Sequence, residues 1–494
     1  KSGGFMADIY GRVKGSPGII FSTLGPGGTN LTSALANATQ DRSPLIAISD
    51  QVSQNDFRTE AHQYVDFVNA FHPKTGITKQ TFLVSSADHL SGVFDQAFAK
   101  AMEEPKGAVH ISIPMDILGS PVNGVGKVLK SSTAKRILPK STVSTDAVKK
   151  ILASGKPGLV IVGGSVERSG AQREFLRFIE HFELPVLTTF RGKNALPSDH
   201  PQCLGTVSRH LGDVVKDVLG QASCLILVGY DYNEGVKPSM WAGQARVVNM
   251  DTYDNRIEKI FTPPSLFGDL GAALRDLIKI PKPTHATSFP LAQVKARVKK
   301  TVAEALDVAR AGLHPGRIID AVNALYKDDS VIVCDVGLNK YYAGLLLKSS
   351  ESNKIIFSNG QSSMAFSSGV MGAKLADPKK SVIALVGDGG FLMDPQEILT
   401  AVVYKQPIVW VIFNNGGLGL TEQAQKEKSP NTTHGVRFGK VFFAKLAESC
   451  GLYGIRVEPG MSLLPILAAV KNMKRPALID VPVVYTPRRK SYRE

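Results

Sequence analysis

The chain has 494 residues, enough for about three domains of ordinary size. Hydrophobic residues make up 43% and charged residues 20%, the balance of a soluble globular enzyme, and no apolar run reaches the ~18 residues that a membrane span needs. The net charge of +15 comes without aromatic interleaving or a nucleic-acid motif, so neither nucleic acid nor membrane is the expected partner; a solvated basic surface that attracts small anions is.

Short apolar runs punctuate the chain. Gly18–Thr23, Leu45–Ser49 and Ala108–Pro114 come first. Leu159–Gly164, Leu184–Thr189, Cys224–Gly229 and Ala245–Asp251 follow, then Val331–Gly337, Lys354–Asn359, Ser381–Gly387, Ile408–Asn415 and Ala477–Val483. Helical stretches separate them, and most end on glycine or a polar turn, so they predict buried parallel strands. The expected fold is α/β, with three doubly wound parallel-sheet domains over residues 1–120, 146–280 and 314–487. Proline-bearing polar segments, Ser120–Thr142 and the stretch beginning Ile280–Pro290, read as linkers. Four scattered cysteines (Cys203, Cys224, Cys334, Cys450) have no metal spacing and fit a reducing, cytoplasmic setting.

Chemistry concentrates in the third block. The run Ser381–Val386 ends at Gly387-Asp388-Gly389-Gly390, and a second strand, Pro407–Phe413, ends at Asn414-Asn415-Gly416-Gly417. Between them, Asp394, Pro395 and Glu397 predict a capped helix start. Such a unit delivers Asp388 and Asn415 to the same carboxyl edge of a parallel sheet, where ligands bind. A carboxylate from Asp388, an amide oxygen from Asn415 and the carbonyl of Gly417 make a hard-oxygen set suited to Mg²⁺ beside phosphate oxygens. Gly387, Gly389 and Gly390 allow backbone amides to approach a diphosphate. The run Val162–Ala171 in the middle block lacks full dinucleotide-loop spacing and reads as structural. Tyr230 and Tyr232 are expected to pack in that block's core.

This pair of motifs resembles the thiamine-diphosphate signature. Phe5–Arg12, Thr23–Leu31 and Asp41–Leu45 are similar to the pyrimidine-binding domain of the acetolactate-synthase group. His62-Gln63, Gly229–Trp241, Ser358–Met364 and Gly435–Gly451 resemble its FAD-independent catabolic members and the related carboxyethylarginine synthase. The resemblance implies thiamine diphosphate and Mg²⁺ as cofactors, without FAD, in a homodimer or homotetramer. It implies decarboxylation of pyruvate or a similar 2-oxo acid, and addition of the acyl carbanion to a second carbonyl to give 2-acetolactate. Pro26, Gly27, Gln361 and Ser363 would then face the cofactor, and Met364 would wedge its two rings together. His62, Gln63 and Gln423 would contact substrate.

One departure accompanies the match. The family's glutamate, which protonates the aminopyrimidine, sits six positions before the methionine here numbered Met6, immediately ahead of Lys1. The expectation is an N-terminally truncated chain with an incomplete first domain. A carboxyethylarginine-synthase-like enzyme, or another 2-oxo-acid lyase or carboligase, is the close alternative. A non-catalytic cofactor-binding scaffold subunit is the alternative of another class.

Overall fold

The computed structural model describes residues 1–121, 145–154, 158–207, 212–234, 246–255, 263–282, 289–306 and 314–485. Most of both expected linkers, residues 235–241 of the Gly229–Trp241 segment and the basic stretch Arg488–Glu494 lie outside the described residues.

Three sheets carry the fold, and every pairing between their strands is parallel. The first comprises β1 (Gly18–Ser22), β2 (Leu45–Gln51), β3 (Gln80–Leu83) and β4 (Ala108–Pro114), in the order β1-β2-β4-β3. The second comprises β5 (Gly158–Val162), β6 (Val186–Thr188), β7 (Cys203–Thr206), β8 (Cys224–Val228), β9 (Arg246–Asp251) and β10 (Ser265–Phe267), ordered β10-β9-β8-β5-β6-β7. The third holds β11 (Ser330–Cys334), β12 (Lys354–Phe357), β13 (Ser381–Gly387), β14 (Ile408–Asn414), β15 (Tyr453–Arg456) and β16 (Ala477–Pro482), ordered β12-β11-β13-β14-β16-β15.

Continuous apolar strands follow from two-sided burial. In β5, Val160 and Val162 enter one hydrophobic cluster while Leu159 and Ile161 enter another. In β2, Leu45 and Ala47 serve one cluster, Ile46 and Ile48 a second. Successive side chains point to opposite faces, so each face must be lined with apolar residues. Full burial of each such valine, leucine or isoleucine side chain contributes roughly 1.5–3 kcal/mol.

The sequence reading missed β3, β7, β10 and β15. All four lie at sheet edges, where one neighbouring strand is lacking and burial is incomplete. Two further expectations are corrected. The helix after Asp394-Pro395 begins at Glu397, with Gln396 at its N-cap and no side-chain cap; tight turns from Asp394 and Pro395 precede it instead. Tyr230 is buried as expected, but Tyr232 is 57% exposed.

The chain divides into two compact units: Lys1–Ile137 with Ser358–Lys379, and Leu138–Phe357 with Lys380–Glu494. In the first, helix Val370–Ala376 packs on helix Ser2–Lys14. Gly372 makes this approach possible, since an added Cβ would lie 1.9 Å from the Met6 carbonyl oxygen.

In the second unit Lys193 is buried without a carboxylate partner among the described residues. Its Nζ donates to Thr206 Oγ1 at 2.9 Å and to the Gly344 carbonyl at 2.8 Å. Burial lowers its pKa from 10.5 to about 8. The unfolded chain therefore holds this proton to higher pH than the fold does, and stability rises as pH climbs from about 8 towards 10.5. Lys193→Met removes that slope. Its melting temperature relative to wild type should be most favourable near neutral pH and decline above pH 8, over a span worth about 3 kcal/mol. A difference that stays constant with pH would refute this account.

Candidate cofactor and metal site

Strand β13 is buried and paired on both sides, with β11 and β14, and it delivers Asp388 to its carboxyl end. Asp388 is 2% exposed. Its Oδ1 accepts from the Gly389 amide at 2.7 Å, and its Oδ2 accepts from the amides of Asn415 at 3.1 Å, Gly416 at 2.6 Å and Gly417 at 3.0 Å. The positive φ of Gly416, 72°, curls the chain so that these three amides converge. Burial pushes the carboxyl pKa above its ordinary value, and the four amides only partly offset that push. No basic side chain pairs with Asp388 among the described residues. Buried charges are normally paired or bound to metal, so this carboxylate fits a cation.

The donor set fits Mg²⁺ in particular. Among the described residues no three His, Cys, Asp or Glu side chains form a metal cluster. A cation at Asp388 would therefore add neutral oxygens, and those of Asn415 and Gly417 lie on the same loop. The asparagine pair divides its work: Asn414 Nδ2 donates to buried Asp480 at 2.8 Å, while Asn415 lines the cavity beside the loop. The loop itself is clamped from outside, with Leu418 N donating to Val436 O at 2.8 Å and Phe438 N to Gly416 O at 3.0 Å. Gly389 has a steric reason to be glycine that sequence did not reveal: an added Cβ would lie 2.5 Å from Leu418 Cδ2.

A cavity of about 240 Å³ opens beside Asn415, with Gln423, Glu422, Lys426, Arg437 and Tyr485 in its wall. Gln423 sits on helix Gly419–Lys428. Burial and the Asp388 charge hold the Tyr485 phenol well above its ordinary pKa, so it is a neutral group.

The first unit holds the other expected residues. Pro26 and Gly27 form one helical turn after β1 rather than an open loop. Gln63 rests against that turn, its carbonyl 2.9 Å from where a Cβ on Gly25 would be. His62 and Gln63 are both exposed. Gln361, Ser363 and Met364 lie on the segment after β12, with Gln361 exposed and the other two half-buried.

A buried ionic network fixes that segment; its charged residues lie in the segments Phe5–Arg12 and Asp41–Leu45, but the sequence did not show that they pair. Arg12 on helix Ser2–Lys14 bonds both oxygens of Asp8, at 2.8 and 2.9 Å, and Asp41 Oδ2 at 2.9 Å. Asp41 also accepts from the backbone amides of Asn359 at 3.1 Å and Gly360 at 2.7 Å. Asn37 donates to Asp8 at 2.7 Å and accepts from the Ser358 hydroxyl at 2.7 Å. Arg12 also lies 5.0 Å over the Phe366 ring.

Comparison with known proteins covers almost the whole chain. Residues 1–70, 145–277 and 335–481 match the N-terminal TPP binding, central and C-terminal TPP binding domains of the thiamine pyrophosphate enzymes. A probable acetolactate synthase large subunit from Methanococcus aeolicus is 30% identical over 96% of this chain and 83% of its own length. The chain belongs to the acetolactate synthase group of thiamine-diphosphate enzymes. A catabolic acetolactate synthase from Raoultella terrigena is 29% identical over 97% of the chain and 86% of its own length. The acetolactate synthase of Bacillus subtilis is 27% identical over 98% and 85%.

The resemblance read from the motifs and the three parallel sheets thus agree with this group. Sequence reasoning missed Asp8, Arg12, Asn37, Asp41, Glu422, Arg437 and Tyr485. Asp8, Arg12, Asp41 and Arg437 lie within segments singled out by resemblance, and Asp8 and Arg12 stand four positions apart on one helix, but their partners elsewhere in the chain carry no spacing signal.

Proposed function

We propose that this protein is a thiamine-diphosphate- and Mg²⁺-dependent carboligase. It releases CO₂ from one pyruvate, or a similar 2-oxo acid, and joins the remaining two-carbon unit to the carbonyl of a second molecule, giving 2-acetolactate. The observation that carries this reading is the buried carboxylate of Asp388 at a strand end, held by four backbone amides and, among the described residues, by no basic side chain, in a chain that matches acetolactate synthases along 96% of its length. When bound, thiamine diphosphate supplies the electron sink for loss of CO₂.

The residues have these roles in the proposal. Asp388, Asn415 and the Gly417 carbonyl hold Mg²⁺, and the backbone at Gly387, Gly389 and Gly390 faces the diphosphate. Pro26, Gly27, Gln361 and Ser363 face the rest of the cofactor, and Met364 sets its bend. His62, Gln63 and Gln423 contact substrate. Domain limits of 1–120, 146–280 and 314–487 belong to the same reading, as does a cytoplasmic location. No helix of the described residues is long and apolar enough to cross a membrane.

FAD is not part of this proposal. Glu234 occupies the glycine turn after β5 where a dinucleotide phosphate would sit: its Oε1 accepts from the Gly164 amide at 2.9 Å, and Thr189 donates to its Oε2. A homodimer or homotetramer is supported by the exposed apolar face of helix Glu397–Val403, where Leu399 and Val403 reach solvent beside Tyr404.

The test is product analysis with the complete protein, Mg²⁺, thiamine diphosphate and pyruvate. The expected result is one CO₂ and one 2-acetolactate per two pyruvates. Failure to turn over any 2-oxo acid would defeat the reading. Met364→Ala should lower kcat by about 10²-fold while leaving cofactor affinity nearly unchanged, because it disturbs orientation rather than binding. Parallel loss of affinity would show that Met364 acts as a binding residue instead.

A further inference from the structure

We infer that the cavity beside Asn415 is the subsite for the carboxylate of the acceptor 2-oxo acid, with Arg437 and Lys426 as its binding groups; this rests on the carboligase reading above. The two cations share one anchor. Arg437 Nη2 and Lys426 Nζ both donate to Glu422 Oε1, each at 2.7 Å. One carboxylate facing two cations leaves the cluster a net positive charge. Glu422 itself is nearly buried, its side chain 9% exposed, whereas Arg437 and Lys426 are 55% and 52% exposed. The anchor is thus sheltered, and the cationic ends remain exposed to a ligand.

Position adds to the charge argument. Arg437 Nη1 donates to the Asn415 carbonyl at 2.9 Å, so the guanidinium is tied to the loop that carries the expected Mg²⁺ ligands. These two contacts engage two of its five N–H donors, and a planar fork with donors to spare suits a carboxylate. Gln423 shares the cavity, and Leu338, Val483 and Val484 give it apolar wall. An apolar lining with a few converging charged groups matches a small 2-oxo acid, with its methyl and carboxylate ends. A neutral aldehyde would leave the net positive charge of the cluster unmatched.

The anion could come from another source, the cofactor diphosphate, and the cations could merely brace the loop. Competition between acceptors separates these cases. Pyruvate and acetaldehyde draw on the same donor half-reaction, so the ratio of 2-acetolactate to acetoin reports the acceptor step alone. Arg437→Met should shift that ratio towards acetoin by about tenfold, the worth of one charge-assisted hydrogen bond, with thiamine-diphosphate affinity retained. Lys426→Met, which leaves the Asn415 contact intact, should shift it in the same direction and serves if Arg437→Met does not fold. Two results overturn the inference. Both products falling in step would make Arg437 a brace for the loop, and a fall in cofactor affinity would assign the cations to the diphosphate. Absence of acetolactate from the unaltered protein would instead defeat the carboligase reading itself.

Discussion

Asp388→Ala removes Mg²⁺-supported binding of thiamine diphosphate, with an expected loss of about 10³-fold in affinity and no detectable turnover. The magnitude follows from the site's composition. Asp388 supplies the only anionic ligand in the proposed set, and breaking a buried charge contact costs about 3–5 kcal/mol. The readout need not be activity. Ligand that binds only the folded state raises stability by about 2.7 kcal/mol at a hundredfold excess over Kd. Mg²⁺ with thiamine diphosphate should therefore raise the melting temperature of the unaltered protein and leave that of Asp388→Ala where it was. An equal rise in both would remove Asp388 from the metal site. Asn414→Ala offers a contrast, because its side chain serves Asp480 and not the site. It should reduce stability while the cofactor-induced rise persists.

Asp41→Ala should destabilise the first unit by about 3–5 kcal/mol, a large part of the 5–15 kcal/mol typical of a folded protein. Three contacts disappear together. Arg12 loses one of its two carboxylates and keeps Asp8, and the amides of Asn359 and Gly360 lose the Asp41 carboxylate. A buried guanidinium that loses one of its two carboxylates and two amides that lose theirs cost more than the absent hydrogen bonds themselves. The damage should extend to function, since Asn359 and Gly360 lead directly into Gln361, Ser363 and Met364. Chemical denaturation measures the first effect, and cofactor titration under folding conditions measures the second. Removing Arg12 as well should cost less than the sum of the two single changes, because each leaves the other uncompensated. Additive losses would mean that the pair is not coupled and that the segment is held by other contacts.

The parts of the fold that could be read from sequence share a physical cause. Strands covered on both faces must be apolar at every position, and runs such as Leu159–Val162 and Ser381–Val386 announce themselves. Edge strands escape that demand. Gln80–Leu83 and Tyr453–Arg456 are short and half-exposed, and their residues are compatible with a loop. They are strands because a neighbour offers a free edge. The capped start expected at Asp394 failed for a related reason: propensity at a helix end is worth about 1 kcal/mol, too little to prevail over how the preceding chain turns.

By itself, then, the sequence determined the family, the three parallel sheets and the pair of strand ends bearing Asp388 and Asn415. In a parallel sheet the hydrogen-bond register brings the carboxyl ends of adjacent strands together, so two motifs on neighbouring strands become one site by topology alone. Only the tertiary structure decided which charges answer one another. Arg12 meets Asp41 across 29 positions, Asp41 meets Gly360 across 319, and Arg437 meets Glu422 across 15. Such partners have no periodicity, since a charge is satisfied by any group that packing brings within reach, at whatever distance along the chain.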